Sequence, residues 1–200
     1  MARPGAFIVK KGNNVLNQRC LQTITEFPVN DEVLDTIDLC RESLRSVTGF
    51  WRNKSMSIAS TQVGKPQMPL FVMCSRENWH TPRQYKTFQT FINPQVIAYS
   101  DNQCLSWEGC VSNDEEMVLI ERPIQIKGKF SDIEGKEYEM LLSGLMSRIF
   151  QHEVDHLNGL VMWDDQVAEN VRSSQPDGVY VPPRRIEKTQ NLAELATIED

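Results

Sequence analysis

Gln151-His152-Glu153-Val154-Asp155-His156-Leu157-Asn158-Gly159 is the stretch on which the reading of the whole chain turns. His152 and His156 are four residues apart, so on a helix both imidazoles leave one face, one turn apart, as paired metal ligands must. Glu153, next to the first histidine, can then lie beside a metal without ligating it and take a proton from water. Two of the three histidines in the chain fall within these five positions. Leu145, Met146, Ile149, Phe150, Val154 and Leu157 surround the helix with apolar residues, which predicts burial nearly all round, with Ser143 as its cap and Asn158-Gly159 as its stop. Histidines buried this way need partners. A metal is one, and ordinary hydrogen bonds within a packed helix are the alternative.

Two histidines lack a third ligand. Cys104-Leu-Ser-Trp-Glu-Gly-Cys110-Val-Ser112 offers two thiols, and a cysteine with two histidines leaves the fourth tetrahedral position open for water. Gly109 would let the backbone crowd a metal next to Cys110, which favours that thiol slightly, but spacing alone leaves Cys104 and Cys110 both open.

Outward from this core, Asp31 to Val47 carries Val33, Leu34, Ile37, Cys40, Leu44 and Val47 at helical spacing behind an Asn30 cap, so a surface helix is predicted with Cys40 on its packed face. Ser55 to Gly64 is a run of small residues where backbone can approach a ligand. Leu70–Cys74, Lys86–Ile92 and Gln95–Tyr99 suggest strands, the second stopping at Asn93-Pro94. Ile124–Phe130 and Lys136–Leu142 flank a turn at Ser131–Gly135 and predict a hairpin. His80 looks like a loop residue. Beyond Trp163 the chain turns polar, so residues 1–165 are expected to form one domain and 166–200 a polar C-terminal tail, with a short terminal helix from Asn191 to Ile198.

The net charge of -6 disfavours nucleic acid as a partner, because no basic face is implied. Five cysteines without paired spacing point to a reducing, intracellular compartment, and no run of about 18 apolar residues suggests a membrane span. The first 25 residues have four basic side chains and no acid, a bias shared with organellar transit peptides. Ala6–Val9 followed by Lys-Lys-Gly-Asn-Asn reads equally well as a strand and turn opening the domain, and the stretch contains no serine.

Three stretches, in order, resemble the peptide deformylases, metal hydrolases that remove the formyl group from the N-terminal methionine of new polypeptides. The third, Gln151 to Gly159 entered through Gly144-Leu145, matches nearly residue for residue. Glu108-Gly-Cys110-Val-Ser112 matches the second with Val for Leu, and that correspondence selects Cys110. Ser55-Met56-Ser57-Ile58-Ala59-Ser60-Thr61-Gln62 matches the first, keeping its glutamine but with serine for both glycines and for one alanine. The resemblance covers roughly Phe7 to Trp163 and implies an α+β fold with antiparallel sheets around a central metal-binding helix.

Carried over by residue, the resemblance makes Cys110, His152 and His156 the ligands of one divalent metal, Fe(II) in vivo or Zn(II) as isolated. Glu153 becomes the general base, and the Gln62 amide and Val111 N–H become donors to the oxyanion. Met56, Ser57, Gly109, Leu145, Arg148 and Ile149 fall along the substrate groove, and an N-formyl-methionyl peptide is the implied partner, met in transient association with the ribosome. Such a protein is expected in the cytoplasm of a bacterium, or in the mitochondria or plastids of a eukaryote. Arg122 is expected to form a structural ion pair with Glu108.

Where the family has apolar residues lining the methionine pocket, this chain has Arg148, one turn before His152, and Ser106. A guanidinium there either snorkels outward or changes what fits. The competing reading is therefore a deformylase-like protein with an altered groove that binds or regulates without strong turnover, with an anionic ligand for Arg148. A general metalloprotease is the weaker third, since its third ligand would be a downstream His or Glu.

Overall fold

The computed structural model describes residues 6–47, 55–75, 87–163 and 184–186. Its centre is a sheet in the order β1-β2-β3-β6-β7, with β1 Met56–Ala59, β2 Leu70–Ser75, β3 Thr87–Ser100, β6 Gln125–Ser131 and β7 Glu137–Ser143. Those five pair antiparallel, and a short strand β8, Arg184–Ile186, adds to β3 in parallel. A separate two-stranded ribbon is made by β4, Gln103–Cys110, and β5, Asn113–Pro123. The fold is α+β, as the sequence leads one to expect.

Successive side chains of a strand point to opposite faces, and β2 shows what that does here. Leu70, Val72 and Cys74 point to one face, where they pack with Val33, Ile37, Cys40 and Leu44 of helix α1, Asp31–Ser46. Phe71 and Met73 point to the other, where they meet Phe150, Val154 and Leu157 of helix α2, Leu145–Leu157. The sheet is thus covered by one helix on each face. Phe71 stacks on Phe91 at 4.4 Å and meets Phe150 edge-on at 5.4 Å, the offset and T-shaped geometries that the ring quadrupoles favour. Asn30 caps α1 by accepting from Val33 N–H at 3.1 Å, so both ends of that helix fall within a residue of the sequence reading.

Four expectations differ in detail. Asn93-Pro94 does not end a strand: β3 runs through it at a register shift between Ile92 and Gln95, where proline costs no ladder bond. Asn93 adopts φ 50°, and its amide bonds both the N–H and C=O of Ile24, at 3.0 and 2.7 Å. Ala6–Val9 forms no strand; Val9 N–H instead donates to Gln62 O and Lys11 N–H to Ser112 O, both at 2.8 Å. Gly144, at φ 58°, precedes the first turn of α2, while Ser143 closes β7. Leu145 is 63% exposed, so α2 is not buried all round. His80 and the expected helix at Asn191–Ile198 lie outside the described residues.

Candidate metal centre

Helix α2 places His152, Glu153 and His156 against the sheet, all buried, with the two imidazole centroids 4.9 Å apart. The ribbon brings the third donor. Its register shifts between Glu108 and Cys110, an irregularity of the kind that re-aims a side chain, and the buried Cys110 Sγ comes within 3.2 Å of His156 Nε2. One donor atom from each of Cys110, His152 and His156 falls within 4.8 Å of the others, the only such group among the described residues. Cys104 is exposed and stands outside it, so of the two thiols that residue type left open, the geometry brings only Cys110 to the histidines.

One of the two histidines is oriented from outside the cluster. His152 Nδ1 lies 3.0 Å from Glu108 Oε2, which fixes it as the protonated nitrogen and turns Nε2 toward the cluster. Burial alone would lower the His152 ring, but Cys110 and Glu108 hold it well above the ordinary range. His156 goes the other way, pushed well below it by burial and by the charges of His152 and Arg122. His156 Nδ1 and Glu153 Oε2 are buried with no hydrogen-bond partner among the described residues. A thiol, two imidazoles and a neighbouring carboxylate oxygen without a partner fit a divalent metal of the zinc or iron type.

Glu108 anchors this arrangement. Arg122 grips it with two bonds, Nε to Oε1 at 2.6 Å and Nη2 to Oε2 at 3.0 Å, and its Nη1 reaches Asp155 at 2.7 Å, so the ion pair expected from sequence is present. Burial would raise the Glu108 carboxyl, yet Arg122 and the His152 hydrogen bond hold it well below the usual carboxylate range. Arg148, expected along the substrate groove, turns its guanidinium onto the same carboxylate at 2.6 Å and onto the ribbon. Glu108 had a recognisable place beside Cys110 in sequence; Asp155, three after His152, was visible only as a helical neighbour.

The remaining site residues fall on β1 and the 3-10 turn after it, Ser60–Val63. Gln62 is held from both ends: its Oε1 accepts from Ala59 N–H at 2.8 Å, and its Nε2 donates to Cys110 Sγ at 3.2 Å and Ser112 Oγ at 3.0 Å. Nothing in the sequence pointed to Ser112 as its partner, or to Lys10, whose Nζ donates to Val111 O at 3.0 Å. Ser57 Oγ donates to Glu153 Oε1 at 2.6 Å, and the carboxyl itself is raised by burial against the pull of His152 and Ser57. Met56 points into the α1-side core, so only its main chain can face a groove, while Ile149 packs beside the aromatic cluster.

An α+β sheet whose buried His-Glu-x-x-His helix meets a cysteine on a separate ribbon defines a class of protein that binds a metal through one thiolate and two imidazoles. Within that class the relatives are specific. A family model described as polypeptide deformylase matches residues 6–172, and the chain belongs to that family. A peptide deformylase from Mesorhizobium japonicum is 34% identical over 109 residues, 54% of this chain and 59% of the relative, less than two thirds of that relative's length. One from Rhizorhabdus wittichii is 33% identical over 136 residues, 68% of this chain and 73% of the relative. The Met-Ala-Ser-bound crystal structure of a class I type b peptide deformylase from Acinetobacter baumannii superimposes with a TM-score of 0.65 at 26% identity, covering 80% of this chain and 97% of that one. No described helix is long and apolar enough to cross a membrane.

Proposed function

We propose that this protein hydrolyses the formyl amide at the N-terminus of formyl-methionyl peptides, with Cys110, His152 and His156 holding one divalent metal, Fe(II) as the working ion and Zn(II) in isolated protein. The observation that carries the reading is the convergence of these three donors with Glu153 beside them on the same buried helix. A divalent cation held by these residues would lower the pKa of a water toward neutrality and polarise a carbonyl oxygen. Glu153 Oε2, which has no hydrogen-bond partner among the described residues, accepts the proton of the attacking water. It returns that proton to the amine nitrogen as the C–N bond breaks, leaving formate and a free α-amine. The Gln62 amide and the Val111 N–H are the proposed donors to the oxyanion; Ala59 N–H holds the Gln62 side chain through Oε1, and Nε2 would exchange one of its two present bonds, to Cys110 Sγ or Ser112 Oγ, for the oxyanion.

Among the described residues β1 pairs with β2 on one side only, and we take its other edge as the place for an extended peptide, as in strand addition. The peptide bound in the Acinetobacter structure, Met-Ala-Ser, is of the size and chemistry proposed here. Gly109 and Leu145 flank this groove. Residues 1–165 make up the catalytic domain and 166–200 the tail, from which β8 returns to β3.

The test is formate release from formyl-Met-Ala-Ser by protein loaded anaerobically with Fe(II), with Glu153→Ala as the comparison. Release that the substitution abolishes supports the reading; equal release from both proteins rejects Glu153 as the base. One observation favours a slower, binding-type protein: Ser57 occupies Oε1 of the proposed base. Tight binding of formyl-Met-Ala-Ser without formate would select that reading.

A further inference from the structure

We infer that Arg148 is a positioning residue of the metal centre, tying the cysteine-bearing ribbon to the histidine-bearing helix. The inference rests on the metal reading above.

The three proposed ligands come from two bodies. His152 and His156 ride on α2, packed into the main sheet, whereas Cys110 ends β4 of a ribbon that joins no other sheet among the described residues. A two-stranded ribbon has little stability of its own. Where Cys110 stands relative to the histidines is therefore set by what ties the ribbon down: Gln62 and the Lys10–Lys11 segment at its turn, and the side chains joining its strands to α2.

Arg148 makes three such joins from one turn before His152. Its Nη1 donates to Glu108 Oε1 at 2.6 Å and to Ile120 O at 3.0 Å, and its Nη2 donates to Cys104 O at 2.6 Å. Cys104 and Ile120 belong to different strands and are not paired with each other, Cys104 lying opposite Arg122 and Ser106 opposite Ile120. One planar group thus spans both strands of the ribbon, which the single point charge of a lysine cannot do.

The bond to Glu108 acts on the second ligand. Glu108 Oε1 receives Arg122 and Arg148, and Oε2 receives Arg122 and His152. A carboxylate offers about four acceptor positions, so this one is filled and cannot rotate without breaking a bond. Arg148 therefore helps hold the oxygen that orients His152, and through the ribbon it sets the approach of Cys110. Its guanidinium is already engaged by a buried carboxylate and two main-chain carbonyls, which leaves it unsuited to an anionic substrate group.

The experiment measures Co(II) binding by Arg148→Met and Arg148→Lys, using competition with a chelator, the dissociation rate and the visible spectrum. Ile37→Val, in the α1 core on the far side of the sheet, serves as a destabilised control. Removing partners that orient ligands typically costs 10- to 100-fold in metal affinity. Arg148→Met should weaken Co(II) by about 10-fold or more and alter its thiolate charge-transfer band, and Arg148→Lys should recover only part of the loss. In metal-free protein, amides of β4 and β5 should exchange faster in Arg148→Met, while those of β2 should not. Parent affinity and spectrum in both variants, with unchanged exchange, would overturn the inference. Should Arg148→Met not fold, Arg148→Lys carries the same comparison. A parent that binds no Co(II), or whose band survives Cys110→Ser, would reject the metal reading itself.

Discussion

Replacing Arg122 by methionine removes the guanidinium that holds Glu108 from two directions, and both side chains are nearly inaccessible, 3% and 4% exposed. Breaking a buried ion pair by deleting one partner costs about 3–5 kcal/mol, because the other charge stays behind. Here Glu108 would keep Arg148 and His152, and Asp155, which loses the same guanidinium, is a quarter exposed and can rehydrate. The low end, about 3 kcal/mol, therefore applies. For a protein of this size that corresponds to a fall in Tm of about 6–12 °C, from roughly 2–4 °C per kcal/mol.

Glu108→Gln should cost a similar amount for the mirror reason, and the double variant should cost clearly less than the sum. Urea unfolding of the four metal-free proteins gives the coupling directly. Additivity within about 0.5 kcal/mol would refute the argument that the two charges stabilise one another. The pH dependence has a definite sign. Glu108 has a folded pKa below its unfolded value of about 4.3, so its contribution is fully present above that value and is lost as pH falls through the lower, folded one. The difference between parent and Arg122→Met should stay level from about pH 5 upward and shrink only in stronger acid.

Three other outcomes follow from the same geometry. Ser57→Ala should leave folding intact and raise formate turnover by up to about tenfold, since a hydrogen bond to a charged group contributes about 1.5–3 kcal/mol and tenfold needs about 1.4; a fall would mean that Ser57 orients Glu153 instead. Gly159→Ala should lower stability by about 2 kcal/mol, because a Cβ at φ +75° would stand 2.7 Å from the Asn17 carbonyl oxygen, and an unchanged Tm would contradict that contact. Iodoacetamide should label Cys104 in the native protein and leave Cys40 unmodified until unfolding, as Cys40 is buried and its thiol is pushed up by that burial; peptide mapping by mass spectrometry checks both.

Much of this was legible because local rules and tertiary demands agree. The Asn30 cap and the 3-4 spacing of Val33, Ile37, Cys40 and Leu44 define α1 without reference to anything else. The pair His152 and His156 declares a ligand face by helical period alone, and Gly135, at φ 86°, turns the β6–β7 hairpin where the sequence places the turn. What escaped depends on distant parts of the chain. Asn93 stays within β3 because its amide is satisfied by Ile24, 69 residues away in sequence. Arg148 lies on the ligand face by periodicity, but a long side chain finds its partners in three dimensions, and Glu108 with the ribbon carbonyls outcompetes the groove. Ser57 could be seen as a departure from the family pattern; that its hydroxyl reaches Glu153 required the β1–α2 approach.

The central claim is that one metal on Cys110, His152 and His156 turns this site into a deformylase. Its most direct test is an anaerobic titration of metal-free protein with Fe(II), following bound iron and formate release from formyl-Met-Ala-Ser together. Release should rise with iron to a plateau at about one metal per chain, as a Cys/His/His donor set implies, and be lost in Cys110→Ser. Iron that binds to that plateau without formate appearing would contradict it.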